Sequence, residues 1–274
     1  MRRNYGWKPD LTDQRDYLYK RKLRFTLPRE VDLREYCSSV ENQGSLGSCT
    51  AQALAGNMEL LDRKDDNIYR EVSRLFIYYN ERAIEGTVNQ DSGAYIRDGI
   101  KSLKKWGVCD EKLWPHDIAM FKEKPSKECY TDALNRQISL YQRLIGISDI
   151  LDCLAEGYPV VFGIAIYESF ETVRVAGTGI VPMPGRNEIL LGGHAVMAVG
   201  YNIKERRFIV RNSWGEGWGQ KGYFTLPFEY VEKLGSDFWS IKKVKENKGV
   251  ESEKVSWFTR FISSIFSCNK PCVC

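Results

Sequence analysis

The apolar positions of this chain change their period part-way along it. Between residue 49 and about residue 105 they recur three and four apart: Ala51, Leu54, Ala55, Met58 and Leu61, then Val72, Leu75, Phe76 and Tyr79, then Ile96, Ile100 and Leu103. That spacing lines one face of each of three helices. Beyond about residue 155 the runs shorten and become β-branched or aromatic: "YPVVFGIAIY", "HAVMAVGY", "RFIVRN", "GYFTL" and "FWSIKKV", separated by Gly-rich turns. Those are strand signatures. A helical half followed by a strand-rich half predicts an α+β fold in two lobes. Residues 1–28 show little periodicity and read as a polar, aromatic arm lying on the surface. The chain turns polar again from 246 before the amphipathic stretch "VSWFTRFISSIF".

Length and charge narrow the classes without choosing one. At 274 residues the chain can bury a sizeable core. A net charge of +4 spread along the chain argues against a nucleic-acid partner; only the first 30 residues are biased, with nine basic against four acidic side chains. No apolar run approaches the ~18 residues of a membrane span. The basic N-terminus lacks the apolar core of a secretory signal, which predicts a cytoplasmic or particle-associated protein. Of eight cysteines, Cys37, Cys49, Cys109, Cys129 and Cys153 are scattered without metal-ligand spacing. A disulfide framework is not expected in that setting.

Chemistry enters at "ENQGSLGSCTAQALAGNMELL", where Cys49 stands at the start of the first periodic segment. A thiol at a helix N-terminus sits in a positive partial field that favours the thiolate. Thiol catalysis also requires a base, a group that orients the base, and donors for the oxyanion. Only two histidines are present: His116 in the loop-like "LWPHD", and His194, which opens the strand-like "GGHAVMAVGY". Asn212 ends another strand in "RNSWGEGWGQKGYF", where its amide oxygen can fix an imidazole and Trp214 can shield that bond. Taken singly, Cys49 and His194 read more readily as core residues, and the Gly-rich segment equally well as a hairpin.

"QGSLGSC", "GGHAVMAVGY" and "NSWGEGWGQKGYF", in that order, closely resemble the papain-like cysteine peptidases, the family that includes the cathepsins. The likeness runs from about Val31 to Lys243. It implies a papain-like two-lobe fold: a helical left lobe over about 31–135, an antiparallel, β-barrel-like right lobe over about 136–245, and a cleft between them. It implies Cys49 as nucleophile, His194 as general base and acid, Asn212 as the group orienting His194, and Gln43 as oxyanion donor beside the Cys49 amide. It implies Trp214 as the shield, and Gly93, Ala94 and Tyr95 as the substrate-pairing strand. Ser236 aligns with the floor of the main specificity pocket, which predicts an uncharged floor. Protein or peptide substrates, a monomer, and no cofactor or metal follow from the same likeness. An acyl transferase on the same fold and a non-cleaving binding protein are the alternatives.

Departures from the family pattern are specific. Many relatives pair a cysteine three residues before the nucleophile with one in the substrate loop; here those places hold Leu46 and Asp91. Ala94 replaces the second of two glycines, and Gly193 precedes His194 where plant relatives often have aspartate. The arm of residues 1–30 is too short for the family's helical prosegment, which runs backwards through the cleft. Two readings stand: a short prosegment whose aromatics in "YGWKPD" and "RDYLYK" plug the pockets, with "KRKLR" as processing site, or a permanent structural arm. In the tail, residues 255–266 are amphipathic, and Cys268, Cys272 and Cys274 offer acylation sites or part of a zinc set, against a helix docked on the protein or a free tail. Residues 255–274 therefore predict a weak lipid association as one alternative.

The roles assigned to the four central residues predict a graded series. Cys49→Ala abolishes peptide hydrolysis and labelling by a thiol-directed epoxide, and His194→Ala removes most of the rate. Asn212→Ala keeps a reduced rate, because orientation contributes less than proton transfer. Fluorogenic peptide assays on purified variants check the order.

Overall fold

The computed structural model describes residues 4–20 and 26–246. In chain order the elements are β1 (Trp7–Lys8), β2 (Glu30–Asp32), α1 (Cys49–Asp66), α2 (Arg74–Glu85), β3 (Ala94–Tyr95), α3 (Ile96–Lys105), α4 (Lys127–Ala133), β4 (Arg136–Arg143) and α5 (Gly146–Ala155). They continue with β5 (Val160–Tyr167), α6 (Val173–Thr178), β6 (Leu190–Asn202), β7 (Arg207–Arg211), β8 (Tyr223–Pro227), α7 (Phe228–Leu234) and β9 (Gly235–Glu246). The three helices expected from the 3.6-residue period are α1, α2 and α3. The short helices α4, α6 and α7 and strand β4 carry too few periodic positions to announce themselves, whereas α5, with Ile147, Ile150, Leu151 and Leu154 on one face, has the period and was passed over.

α1 is buried on every side: Cys49, Ala51, Leu54, Ala55, Met58 and Leu60 are all fully covered. α1 packs against α2 and α3 on one side and β5, β6 and β9 on the other, and its buried Thr50 and Glu59 are bonded to Glu81, Ser38 and Arg74. It ends where Asn67 adopts the left-handed conformation (φ 54°), its N–H closing back on the Asp62 carbonyl. α2 is better capped, by the Ser73 side chain accepting from the Phe76 amide and by Gly86 at φ 72°.

The second lobe is a seven-stranded antiparallel sheet in the order β4-β9-β5-β6-β7-β8, with β2 paired to β6 beside this path. The boundary drawn at about residue 31 from sequence therefore falls inside a strand of the sheet. Glu30, Val31 and Asp32 lie opposite Asn202, Tyr201 and Gly200, so the chain starts in the β lobe before crossing to the helices. The five described cysteines are all free and buried. No helix among the described residues is long and apolar enough to cross a membrane. The amphipathic stretch, the terminal cysteines and all of "KRKLR" but Lys20 lie outside the described residues.

The lobes are joined by a buried polar chain. Arg211 of β7 donates to the Ser38 and Ser39 carbonyls and to the Ser38 hydroxyl; that hydroxyl donates to Glu59 of α1, which also takes a 3.0 Å bond from Arg74 of α2. Replacing Arg211 by Leu strands two carbonyls and unbalances Glu59, which predicts a loss of about 3 kcal/mol of stability. Urea unfolding of the variant against the parent, read at constant m-value, measures it.

Candidate active site

Cys49 opens α1 directly behind the turn Gln43–Ser48, and His194 and Asn212 come from β6 and the end of β7. His194 does not open its strand as the sequence suggested. β6 begins four residues earlier, at Leu190, and His194 pairs in register with Ile164 of β5. The strand extends because Gly192 and Gly193 let the backbone continue beneath Tyr5 and Trp7. His194 Nε2 lies 2.8 Å from Asn212 Oδ1, which also accepts the Ser213 amide at 2.9 Å. An amide oxygen only accepts, so Nε2 must carry the proton. Trp214 stacks on the imidazole with ring centres 4.9 Å apart and planes 25° apart. Behind it stand Trp218, Phe170 and Phe224, ring against ring. The site thus sits against a rigid apolar wall.

Gln43 is tied to the same segment. Its backbone N–H donates to the Ser213 carbonyl at 2.9 Å, and its side-chain oxygen accepts the Ser213 hydroxyl at 2.5 Å. With the oxygen held, the amide nitrogen faces the turn before Cys49, where it donates to the Leu46 carbonyl at 2.9 Å. Ser213 was not singled out from sequence, although it stands between Asn212 and Trp214 in the motif. His116, the other histidine, lies in a half-buried loop behind the Gln43 turn; burial lowers its pKa.

The thiol of Cys49 is wholly covered and faces the backbone amides of Ala195, Gly6 and Thr50. Contact with the Ala195 amide sets the sulfur beside the residue that follows His194. Burial pushes the thiol up to about 11, more than the three amides lower it. Burial in this closed arrangement therefore disfavours the thiolate. Below α1, Glu81 accepts the Thr50 hydroxyl at 2.6 Å; burial raises its pKa well above the usual range.

What covers the thiol is the arm. Far from lying on the surface, residues 5–8 run through the cleft. β1 pairs in parallel with β3, Trp7 opposite Ala94 and Lys8 opposite Tyr95, and the Ala94 amide donates to the Gly6 carbonyl at 2.7 Å. Gly6 passes so close that a Cβ on it would meet the Gly47 carbonyl oxygen at 1.7 Å, and one on Gly93 (φ 66°) would meet the Gly6 oxygen at 1.9 Å. Only glycine fits either place. The Trp7 ring lies flat over Gly163 and Gly193. Tyr5 packs edge-on to His194 and Trp214, and its hydroxyl donates to Glu171. Lys8 pairs with Glu85 and lies 4.8 Å from the Tyr95 ring centre.

Of the substrate-strand residues, Gly93, Ala94 and Tyr95 all meet the arm. Ser236 lies in register with Gly163 under the Trp7 ring, but the floor is not uncharged as expected. Its neighbour Asp237, buried in an αL conformation (φ 57°), brings a carboxylate that takes the Asp10 amide at 2.7 Å and Arg143 at 2.8 Å. Sequence reasoning passed over Asp237 because one step along a strand reverses the face presented, and the irregular pairing between Val161 and Gly163 hides which face that is. At the lost cysteine pair, Asp91 has a different means of joining the same two loops. Its carboxylate accepts the Gly47 amide at 3.0 and 3.1 Å and the Tyr78 hydroxyl, and it also receives Asn4 of the arm at 2.5 Å.

A helical lobe with Cys49 at a helix start faces a sheet lobe in which His194 is bonded to Asn212, the two-lobe architecture of a thiol hydrolase. The family model for the papain family cysteine protease matches residues 27–237. The chain belongs to the papain family of cysteine proteases. It is 41% identical over 275 residues to an uncharacterized peptidase C1-like protein of Acanthamoeba polyphaga mimivirus, covering 89% of this chain and 88% of that one. Among solved structures it resembles xylellain, a cysteine protease from Xylella fastidiosa, at 44% identity and a TM-score of 0.82, covering 89% of this chain and 99% of that one. Chymopapain of Carica papaya is 25% identical over 232 residues, with 82% of this chain spanning 61% of the other.

Asp91 yields a test of loop positioning. Asp91→Asn replaces two charge-assisted acceptor bonds at Gly47 by a single neutral one. It should lower kcat about tenfold and raise KM as well, since the carboxylate ties the turn that holds Gln43 and Cys49 to the loop leading into Gly93 and Ala94. Steady-state kinetics of the variant with the arm mutated as below reads both.

Proposed function

We propose that this protein is an endopeptidase made as a latent enzyme, in which residues 5–8 occlude the cleft until they are displaced or cut away. The observation that carries the reading is the complete burial of the Cys49 thiol beneath Gly6 while Trp7 fills the adjoining pocket. The arm escapes cleavage because it offers the sulfur the wrong end of a peptide unit. Gly6 turns its N–H to the thiol, while its carbonyl oxygen is taken by Ala94 and lies on none of the oxyanion donors. The parallel pairing with β3 fits the backward course that the family resemblance gives to prosegments.

With the arm away, water returns to the thiol and the helix N-terminus favours the thiolate. Cys49 sulfur attacks the substrate carbonyl carbon. The oxyanion takes the Cys49 amide and the Gln43 side-chain amide, released from Leu46. His194, its Nε2–H held by Asn212, takes the thiol proton on its other ring nitrogen as the sulfur attacks and passes that proton to the leaving amine. The same nitrogen then draws a proton from water, which cleaves the thioester and restores the thiol. Gln43, His194 and Asn212 together favour hydrolysis over the binding-only alternative, which has no need of the set. Turnover with water alone separates a peptidase from an acyl transferase.

Latency has a measurable signature. Trp7→Ala removes the largest apolar contact of the arm, and a buried tryptophan contributes about 3–5 kcal/mol. The full-length variant should be alkylated at Cys49 at least about tenfold faster than the parent, with peptide hydrolysis rising in parallel. Equal rates would show that the arm does not gate the site.

Docking of the arm is also pH-dependent. Burial, then the neighbouring Asp237 charge, raise the Asp10 carboxyl from 3.8 to about 6, against the lowering pull of Trp239 and Arg97. Docking therefore takes up a proton at Asp10. This group's contribution to docking is whole below 3.8 and is lost as pH rises through about 6. The ratio of wild-type activity to that of the Trp7→Ala chain should rise from about pH 5 to about pH 7, and Asp10→Asn should flatten it.

A further inference from the structure

Past Trp7 the arm turns into a cluster of charged side chains contributed by both lobes. Arg97, in the first turn of α3 and two residues beyond the substrate-pairing Tyr95, grips the Asp16 carboxylate with both edges of its fork, Nε to Oδ1 at 3.0 Å and Nη2 to Oδ2 at 2.7 Å. Arg143, at the end of β4 in the other lobe, reaches the same Oδ2 at 3.1 Å. Both guanidinium groups lie near the Trp239 ring, at 5.8 and 5.4 Å, which fixes their planes. The remaining Arg97 nitrogen donates to the Leu11 carbonyl, again on the arm. Asp16 is about nine-tenths buried in this grip.

The charge balance changes when the arm goes. Arg97 loses every hydrogen-bond acceptor for its guanidinium, since Asp16 and Leu11 both belong to the arm. Arg143 keeps Asp237 at 2.8 Å and loses Asp16 and the more distant Asp10 at 3.6 Å. Two cations then face one anion, with a fork already aimed at the place a carboxylate has vacated. Asp98 and Lys101, on the outer face of α3, pair with each other at 2.7 Å and cancel.

We infer that the Arg97–Arg143 pair is a substrate subsite of the open enzyme that receives an acidic side chain of the peptide, N-terminal to the scissile bond. The inference rests on the arm being displaced for catalysis. Its placement follows from topology: β3 leads straight into α3, so a peptide laid along Ala94 and Tyr95 is carried toward Arg97. A bidentate guanidinium discriminates strongly between a carboxylate and its isosteric amide, because the amide leaves one N–H unpaired and the charge uncompensated. The rival cation-accepting reading would route through Asp237, which Arg143 already neutralises.

The test uses the full-length chain with Trp7→Ala and Asp16→Asn, which loosens the arm and withdraws the competing carboxylate. Fluorogenic peptides differing only by Glu, Gln or Lys are compared at each of the second to fifth positions before the cleaved bond. At one position Glu should exceed Gln by about tenfold in kcat/KM, with the gain in KM, and the ratio should shrink as salt is raised. Adding Arg97→Gln should bring that ratio to about one, a comparison within one enzyme that any loss of folded protein cancels. A Glu/Gln ratio near one at every position, or a preference for Lys, would overturn the subsite. A loosened chain that cleaves the Gln peptide no faster than wild type overturns the latency of the arm instead, and the Glu/Gln ratio is still read.

Discussion

Everything catalytic in this molecule depends on one short pairing across the lobes, that of residues 41–43 with residues 213–215. Glu41 accepts the Gly215 amide at 2.9 Å, and Gln43 exchanges backbone and side-chain bonds with Ser213. Asn212 and Trp214, which hold and cover His194, flank that serine. Gln43 of one lobe and Asn212 of the other thus belong to a single hydrogen-bonded unit. A hinge between the lobes that broke this pairing would misplace donor and base together, which is why the Arg211–Ser38–Glu59–Arg74 chain reinforces the same seam.

The same seam sets the slot through which residues 5–8 run. With the lobes fixed, the cleft is a slot of set width, and Gly6 fills it at the thiol because no side chain intervenes. Trp7 then supplies apolar area on the glycine-floored wall of β5 and β6, and Tyr5 caps the imidazole. The same features that pre-organise the chemistry give the arm a rigid seat. Burial raises the Cys49 thiol while His194 and Asn212 keep their 2.8 Å hydrogen bond.

Asp91 and the arginine pair show how one family fold is maintained with different bonds. Where many relatives join the nucleophile turn to the substrate loop by a disulfide, this chain uses a carboxylate that accepts the Gly47 amide and the Tyr78 hydroxyl. Such a bond needs no oxidising surroundings. The arginines work differently, drawing from both lobes to hold an arm carboxylate at the end of the substrate strand. Both devices are electrostatic, and both meet the arm, through Asn4 and Asp16.

The sequence by itself pointed to the class of fold and the three long helices and singled out Cys49, His194, Asn212 and Gln43, because each of these is written in local spacing. An amphipathic period, a thiol at a helix start and an asparagine before a shielding tryptophan are contiguous features. It left the arm undecided between plug and strap, placed His194 at the mouth of its strand instead of four residues in, and drew a lobe boundary through a strand. It also gave the pocket an uncharged floor. Only tertiary structure settled the positions of Gly6, Trp7, Asp91, Arg97, Arg143 and Asp237, since their contacts join segments 40 to more than 200 residues apart. Their effects come from burial and charge proximity, and no local pattern of apolar and polar residues encodes which distant groups will share a low dielectric.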